Sequence, residues 1–94
     1  MIPHRWADIV DRAVADSPRA VTVDWCRSYV RFESASGAVQ YEVRESPSEP
    51  GTLVLRRTRS KRFTSWSRAL RGDFPYEETP YPDFNALLAK IRRI

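Results

Sequence analysis

The chain has one cysteine, one histidine and only three glycines among its 94 residues. A lone Cys26 rules out an intrachain disulfide. Small domains in oxidising compartments usually depend on such cross-links, so the expected location is the cytoplasm. Cys26 sits between Trp25 and Arg27 in an apolar stretch and is expected to act as a small buried hydrophobe. One cysteine and one histidine cannot assemble the usual zinc shells, which argues against a structural metal. His4 is the only imidazole and lies next to the start of the sequence, so a serine nucleophile would lack its base. Gly37, Gly51 and Gly72 are too dispersed to form a phosphate-cradling loop. No apolar run approaches the roughly 20 residues needed to cross a bilayer. The opening Met1-Ile2-Pro3-His4-Arg5-Trp6 has no secretory pattern. The expectation from these absences is a non-catalytic protein without cofactor, metal or membrane attachment.

Hydrophobic residues make up 41% of the chain and charged residues 30%, a balance that supports one folded domain over residues 1–94. The net charge of +4 is unevenly spread. The first fifty residues hold six arginines against eight carboxylates, whereas the remainder holds ten basic residues against four. Fourteen of the sixteen basic residues are arginine, a bias that a GC-rich coding sequence also produces.

The hydrophobic period changes along the chain. Trp6, Ile9, Val10, Ala13 and Val14 follow the 3.6-residue repeat of an amphipathic helix, with Pro3 suited to its first turn and Ser17-Pro18 ending it. Alternation then takes over at Val21, Val23 and Trp25, resumes at Val30 and Phe32, and continues through Val39, Tyr41 and Val43. After the turn-forming 46–51, Leu53-Val54-Leu55 opens a fourth strand. The phase slip between Trp25 and Val30 predicts a tight hairpin or a bulge. Residues 60–72 fit both periods, and a strand over 61–67 that pairs back on 52–58 is the favoured reading. Residues 73–82 read as an extended, proline-punctuated loop. Phe84, Leu87, Leu88 and Ile91 mark a final helix with Asp83 at its start and Lys90, Arg92 and Arg93 at its end, the order that the helix dipole favours. The predicted fold is an α+β two-layer sandwich: N-terminal helix, antiparallel sheet of about four strands, C-terminal helix, with both helices on one sheet face.

The strongest functional signal is a basic segment. Arg56, Arg57, Arg59, Lys61, Arg62, Arg68 and Arg71 fall within sixteen residues with no acid among them, and Phe63 and Trp66 interleave. Guanidinium groups grip phosphate or carboxylate through paired hydrogen bonds, and aromatic rings can stack on bases. A purely solvated face normally mixes signs, so this density points to an anionic macromolecule: nucleic acid, a nucleoprotein or an acidic protein surface. Most aromatics in small domains are core, which is the competing reading of Phe63 and Trp66. Tyr76 and Tyr81, with Phe74, mark an aromatic loop of the kind that anchors interfaces. They support an alternative, a stand-alone inhibitor or accessory factor, for instance one encoded by a mobile element. The slightly acidic first half also suits a neighbouring copy's basic ridge, so a homodimer is a further arrangement.

Val43-Arg44-Glu45-Ser46 followed by Pro50-Gly51 resembles the phosphate-binding strand and loop of phosphotyrosine-reading Src-homology domains. Phe84-Asn85-Ala86-Leu87-Leu88 is similar to the opening of their last helix. The resemblance covers about the last half of the chain and implies Arg44 as a buried phosphate ligand, with Glu45 and Ser46 starting the loop. That family places a helix directly before this strand, where residues 20–34 read here as strands. Its histidine on the following strand pair has no counterpart.

Overall fold

A computed structural model describes residues 2–94. The 3.6-residue stripe forms helix α1 (Trp6–Asp16), which buries Trp6, Ala7, Val10, Ala13 and Val14. Pro18 disfavours helix at Ser17, which turns to an extended conformation. Five strands follow the helix: β1 (Ala20–Cys26), β2 (Tyr29–Ser34), β3 (Gln40–Glu45), β4 (Leu53–Thr58) and β5 (Glu77–Tyr81). A short helix α2 (Trp66–Leu70) interrupts the last connection, and α3 (Phe84–Arg92) closes the chain. The strands form one antiparallel sheet in sequence order, β1-β2-β3-β4-β5. The α+β sandwich with a helix at each end is therefore as expected, with one strand more than the four read from the pattern.

One face of the sheet carries the core. Val30 and Phe32, Tyr41 and Val43, and Leu53 and Leu55 meet the buried stripe of α1 and residues Phe84, Leu87, Leu88 and Ile91 of α3. Phe32 lies opposite Tyr41 in the β2–β3 register. Their rings stack with centroids 4.8 Å apart, a pair worth about 1 kcal/mol beyond its buried area. The loop between β2 and β3 turns at Gly37, whose φ of 76° lies in the left-handed region that a side chain disfavours. Asp83 caps α3 by accepting from the Asn85 N–H, and Lys90 and Arg92 occupy its last turn. The two helices meet on this face, where Ser17 Oγ donates to the Ile94 carbonyl at 3.1 Å.

Four local expectations need correction. Residues 61–67 do not form a strand: Ser65 caps the short helix α2 by accepting from the Arg68 N–H. The strand that pairs with β4 comes instead from the presumed loop, and it aligns Glu77 with Arg57, Glu78 with Arg56 and Tyr81 with Leu53. Pro80 is tolerated there because β5 is an edge strand with no further neighbour to receive an N–H. The alternation in β1 does not place Val21, Val23 and Trp25 on a buried face, since all three are exposed. Val21 pairs with Glu33 on the polar face; a bulge then leaves Val23 unpaired between Thr22, opposite Phe32, and Asp24, opposite Arg31, and this reversal of parity brings Trp25 opposite Val30. Cys26, at the end of the same strand, is exposed rather than buried.

Candidate functional site

The second sheet face has no helix of the main core over it, and its polar residues line up by register. Asp24 stands opposite Arg31, Arg31 opposite Glu42, Glu42 opposite Arg56, and Arg56 opposite Glu78. These five residues form a row across all five strands with alternating charge. Arg31 Nε donates to Glu42 Oε2 at 2.9 Å, and Arg56 Nη1 donates to Glu42 Oε1 at 2.7 Å. Arg56 Nε donates to Glu78 Oε2 at 2.6 Å. Arg44 approaches Glu42 Oε1 from two residues along β3, at 3.6 Å. The guanidinium of Arg31 lies 4.0 Å from the Tyr29 ring centroid. The Tyr29 hydroxyl in turn donates to Asp24 Oδ2 at 2.7 Å.

Glu42 is fully buried at the centre of this row. A charge removed from water is tolerated only when its lone pairs are taken up, and here the arginines occupy both carboxylate oxygens. Arginine suits the role because its stem covers the strand while its fork reaches sideways. Arg56 is buried as well. Burial disfavours its charge, but the hydrogen bonds and attraction of Glu78 and Glu42 outweigh that cost and hold its pKa above the ordinary value. The row therefore ties the sheet together, and Arg56 is committed within it. Arg44 keeps about a third of its side chain exposed, and the segment before β3 is hairpin strand β2 rather than a helix.

The rest of the basic segment lies beyond β4. The Thr58 Oγ1 donates to the Pro75 carbonyl at 2.8 Å and accepts from the Ser60 N–H. The Phe63 and Arg62 N–H groups bond to the Ser60 carbonyl and hydroxyl respectively, which tightens the turn and leaves Lys61 and Arg62 at its exposed tip. After the Ser65 cap comes the single turn of α2, and Gly72 ends it with a φ of 87°. Trp66, Ala69 and Phe74, with Phe63 and Tyr76 packed against them, form a small second core separate from the first. The ring contacts are edge-on: Phe63 to Trp66 at 5.3 Å, Phe63 to Phe74 at 5.6 Å and Trp66 to Tyr76 at 6.2 Å. Trp66 is thus a structural anchor of this lobe, with 3% of its surface exposed.

The ten residues singled out from the sequence fall into three groups. Arg56, Arg57 and Arg68 face carboxylates: Arg57 lies 3.7 Å from Glu77, and Arg68 lies 3.5 Å from Asp73. Arg59, Lys61, Arg62 and Arg71 are exposed, and among the described residues none has a carboxylate within ion-pair distance. The aromatics divide. Tyr76 belongs to the second core, whereas Tyr81 packs on the main core at the far end of β5. Pro75 and Tyr76 line two shallow grooves. One, of about 230 Å³, also involves Arg57, Arg59 and Ser60, and the other, of about 540 Å³, involves Arg62 and Phe74.

Linear reading missed Arg31, Glu42, Glu78 and Asp24 as a connected set. The available signal was parity: each occupies a polar position on its strand, and only the hairpin registers reveal that those positions coincide. At the β1–β2 turn, Cys26 Sγ lies 3.2 Å from Ser28 Oγ, and hydrogen bonds from Ser28 lower the thiol's pKa. Among the described residues, no three His, Cys, Asp or Glu side chains gather as a metal shell, and no helix is long and apolar enough to cross a membrane. No protein-family model, curated protein or solved structure matches the chain.

Proposed function

We propose that the chain is a binding module that contacts the phosphate backbone of a nucleic acid through Arg59, Lys61, Arg62 and Arg71. The observation that carries this reading is the partition of charge in the basic segment. Three of its seven cations have carboxylate neighbours, while four stay exposed on the turn and helix after β4 and, among the described residues, have none within ion-pair distance. Exposed unpaired guanidinium and ammonium groups release condensed counterions when they meet phosphates, which drives association. The aromatic rings beneath are engaged with each other edge-on, so they serve as support for the cations rather than as platforms for bases. Contact through phosphates alone makes binding tolerant of sequence.

The test is fluorescence anisotropy of labelled single- and double-stranded DNA and RNA, titrated across a salt series. Four phosphate contacts correspond to a slope of log affinity against log salt of roughly −3 to −4 on duplex DNA. Replacing Arg59, Lys61 and Arg62 together by alanine is expected to remove most of that slope. Arg57→Ala and Arg68→Ala, which alter cations already facing carboxylates, are expected to change it little. Absence of binding at low salt, or an unchanged slope in the triple variant, would overturn the proposal and turn attention to an acidic protein face.

A further inference from the structure

The sheet has two edges of different character. At β5, Pro80 has no N–H to offer, and Glu77 and Glu78 load the edge with carboxylates. At β1, the longest strand with seven residues, the side chains of Val21 and Val23 are more than half exposed, at 55% and 59%. The Arg19 carbonyl accepts from the Ala35 N–H and so points inward to β2, while the Arg19 N–H donates to Ser17 Oγ in its own turn. In an antiparallel ladder successive residues alternate, which directs the N–H and C=O of Ala20, a residue 7% exposed, and of half-buried Thr22 toward the edge, with no strand beside them. An edge of this kind is a template for another strand.

We propose that β1 pairs with β1 of a second copy of this chain, antiparallel about a two-fold axis at Val21, to make one continuous sheet of both copies. The register follows from the bulge. Because Val23 is skipped, Asp24 lies on the same face as Val21 and Arg19. Centring the pair on Val21 sets Val21 against its copy, Ala20 against Thr22, and Arg19 against Asp24, twice over. Ala20 and Thr22 are the residues with outward backbone groups, so they supply the hydrogen-bonded pairs, while Val21 meets its copy at the closer, non-bonded position. The charges are self-complementary as a two-fold interface requires. Arg19 is exposed, and among the described residues it has no carboxylate partner. Asp24, at the end of the row that starts at Glu78, is half exposed. The row thus continues its alternation across the axis, with Arg19 of one copy beyond Asp24 of the other. A bulge and a charge can also serve to blunt an edge, and the two roles predict opposite outcomes.

Sedimentation equilibrium of the purified chain over about 1 µM to about 1 mM decides between them, that being the affinity range of a small interface. The mass is expected to rise from one chain to two with concentration. Val21→Lys, at an exposed position, is expected to hold the mass at one chain with an unchanged circular dichroism spectrum. Arg19→Asp is expected to do the same, and adding Asp24→Arg to it to restore the two-chain mass. A one-chain mass at every concentration, or a dimer that survives Val21→Lys, would overturn the proposal. All these positions lie outside residues 59–71, so this interface and the nucleic-acid reading stand or fall separately.

Discussion

Arg56 and Glu42 meet across β4 and β3 with Nη1 and Oε1 2.7 Å apart, both side chains buried on the sheet face opposite the core helices. Glu42 also receives Arg31 and lies near Arg44, so a single carboxylate offsets three guanidinium groups. Glu42→Gln keeps the shape and removes the charge, leaving Arg56 with Glu78 alone, Arg31 with the more distant Asp24 and, among the described residues, Arg44 with no carboxylate. Breaking a buried ion pair in this way costs about 3–5 kcal/mol. The expected readout is a fall in the urea midpoint with an unchanged slope, and an unchanged midpoint would refute the row's role in stability.

Tyr29 gives a prediction for alkaline pH. Its hydroxyl donates to Asp24, and that hydrogen bond, with a smaller effect of burial, raises its pKa above the ordinary 10.0. The folded chain therefore holds this proton more tightly than the unfolded chain. The contribution is fully present below pH 10.0 and is lost as pH rises through the folded Tyr29 pKa. In a phenolate absorbance titration, the Tyr29 component is the difference between the wild type and Tyr29→Phe. Asp24→Asn is expected to move it to lower pH, and a component that stays in place would show the bond to be absent in solution.

Trp66 belongs to a core that shares no buried residue with the main one. Trp66→Ala is expected to cost about 3–5 kcal/mol, as truncation of a buried large aromatic does. The loss should be local. Hydrogen exchange should quicken through residues 59–76 while the amides of β2 and β3 keep their protection. Uniform loss across the sheet would instead show that the two cores melt together.

The helices were legible because their apolar residues repeat at helical spacing and their ends carry recognisable stops. Trp6 to Val14 and Phe84 to Ile91 bury nearly the stripes that spacing indicated, Ile9 excepted. Strand β5 was not legible, since Glu77-Glu78-Thr79-Pro80 contains no apolar alternation. It is held by its ladder to β4 and by Glu77 and Glu78 reaching Arg57 and Arg56, contacts that a linear pattern does not display. The same blindness affected the basic segment. Counting along the chain shows seven cations without an acid, yet Glu42 and Glu78 reach Arg56 from 14 and 22 residues away. Residues 60–72 stayed ambiguous because a five-residue helix is shorter than two turns of its own period.

The meander has a consequence for the order in which the chain folds. Every strand pairs with the strand next to it in sequence, so each ladder can close over a short stretch. The seam between α1 and α3 differs: Ser17 and Ile94, which bond across it, are 77 residues apart. The entropy of closing a long loop therefore falls on that seam, which places its formation late on the folding pathway. Leu87→Ala in α3 should then hasten unfolding far more than it slows refolding, as stopped-flow kinetics would show. Resistance to unfolding over time would accordingly reside in the helical seam, however firmly the arginine row binds the strands.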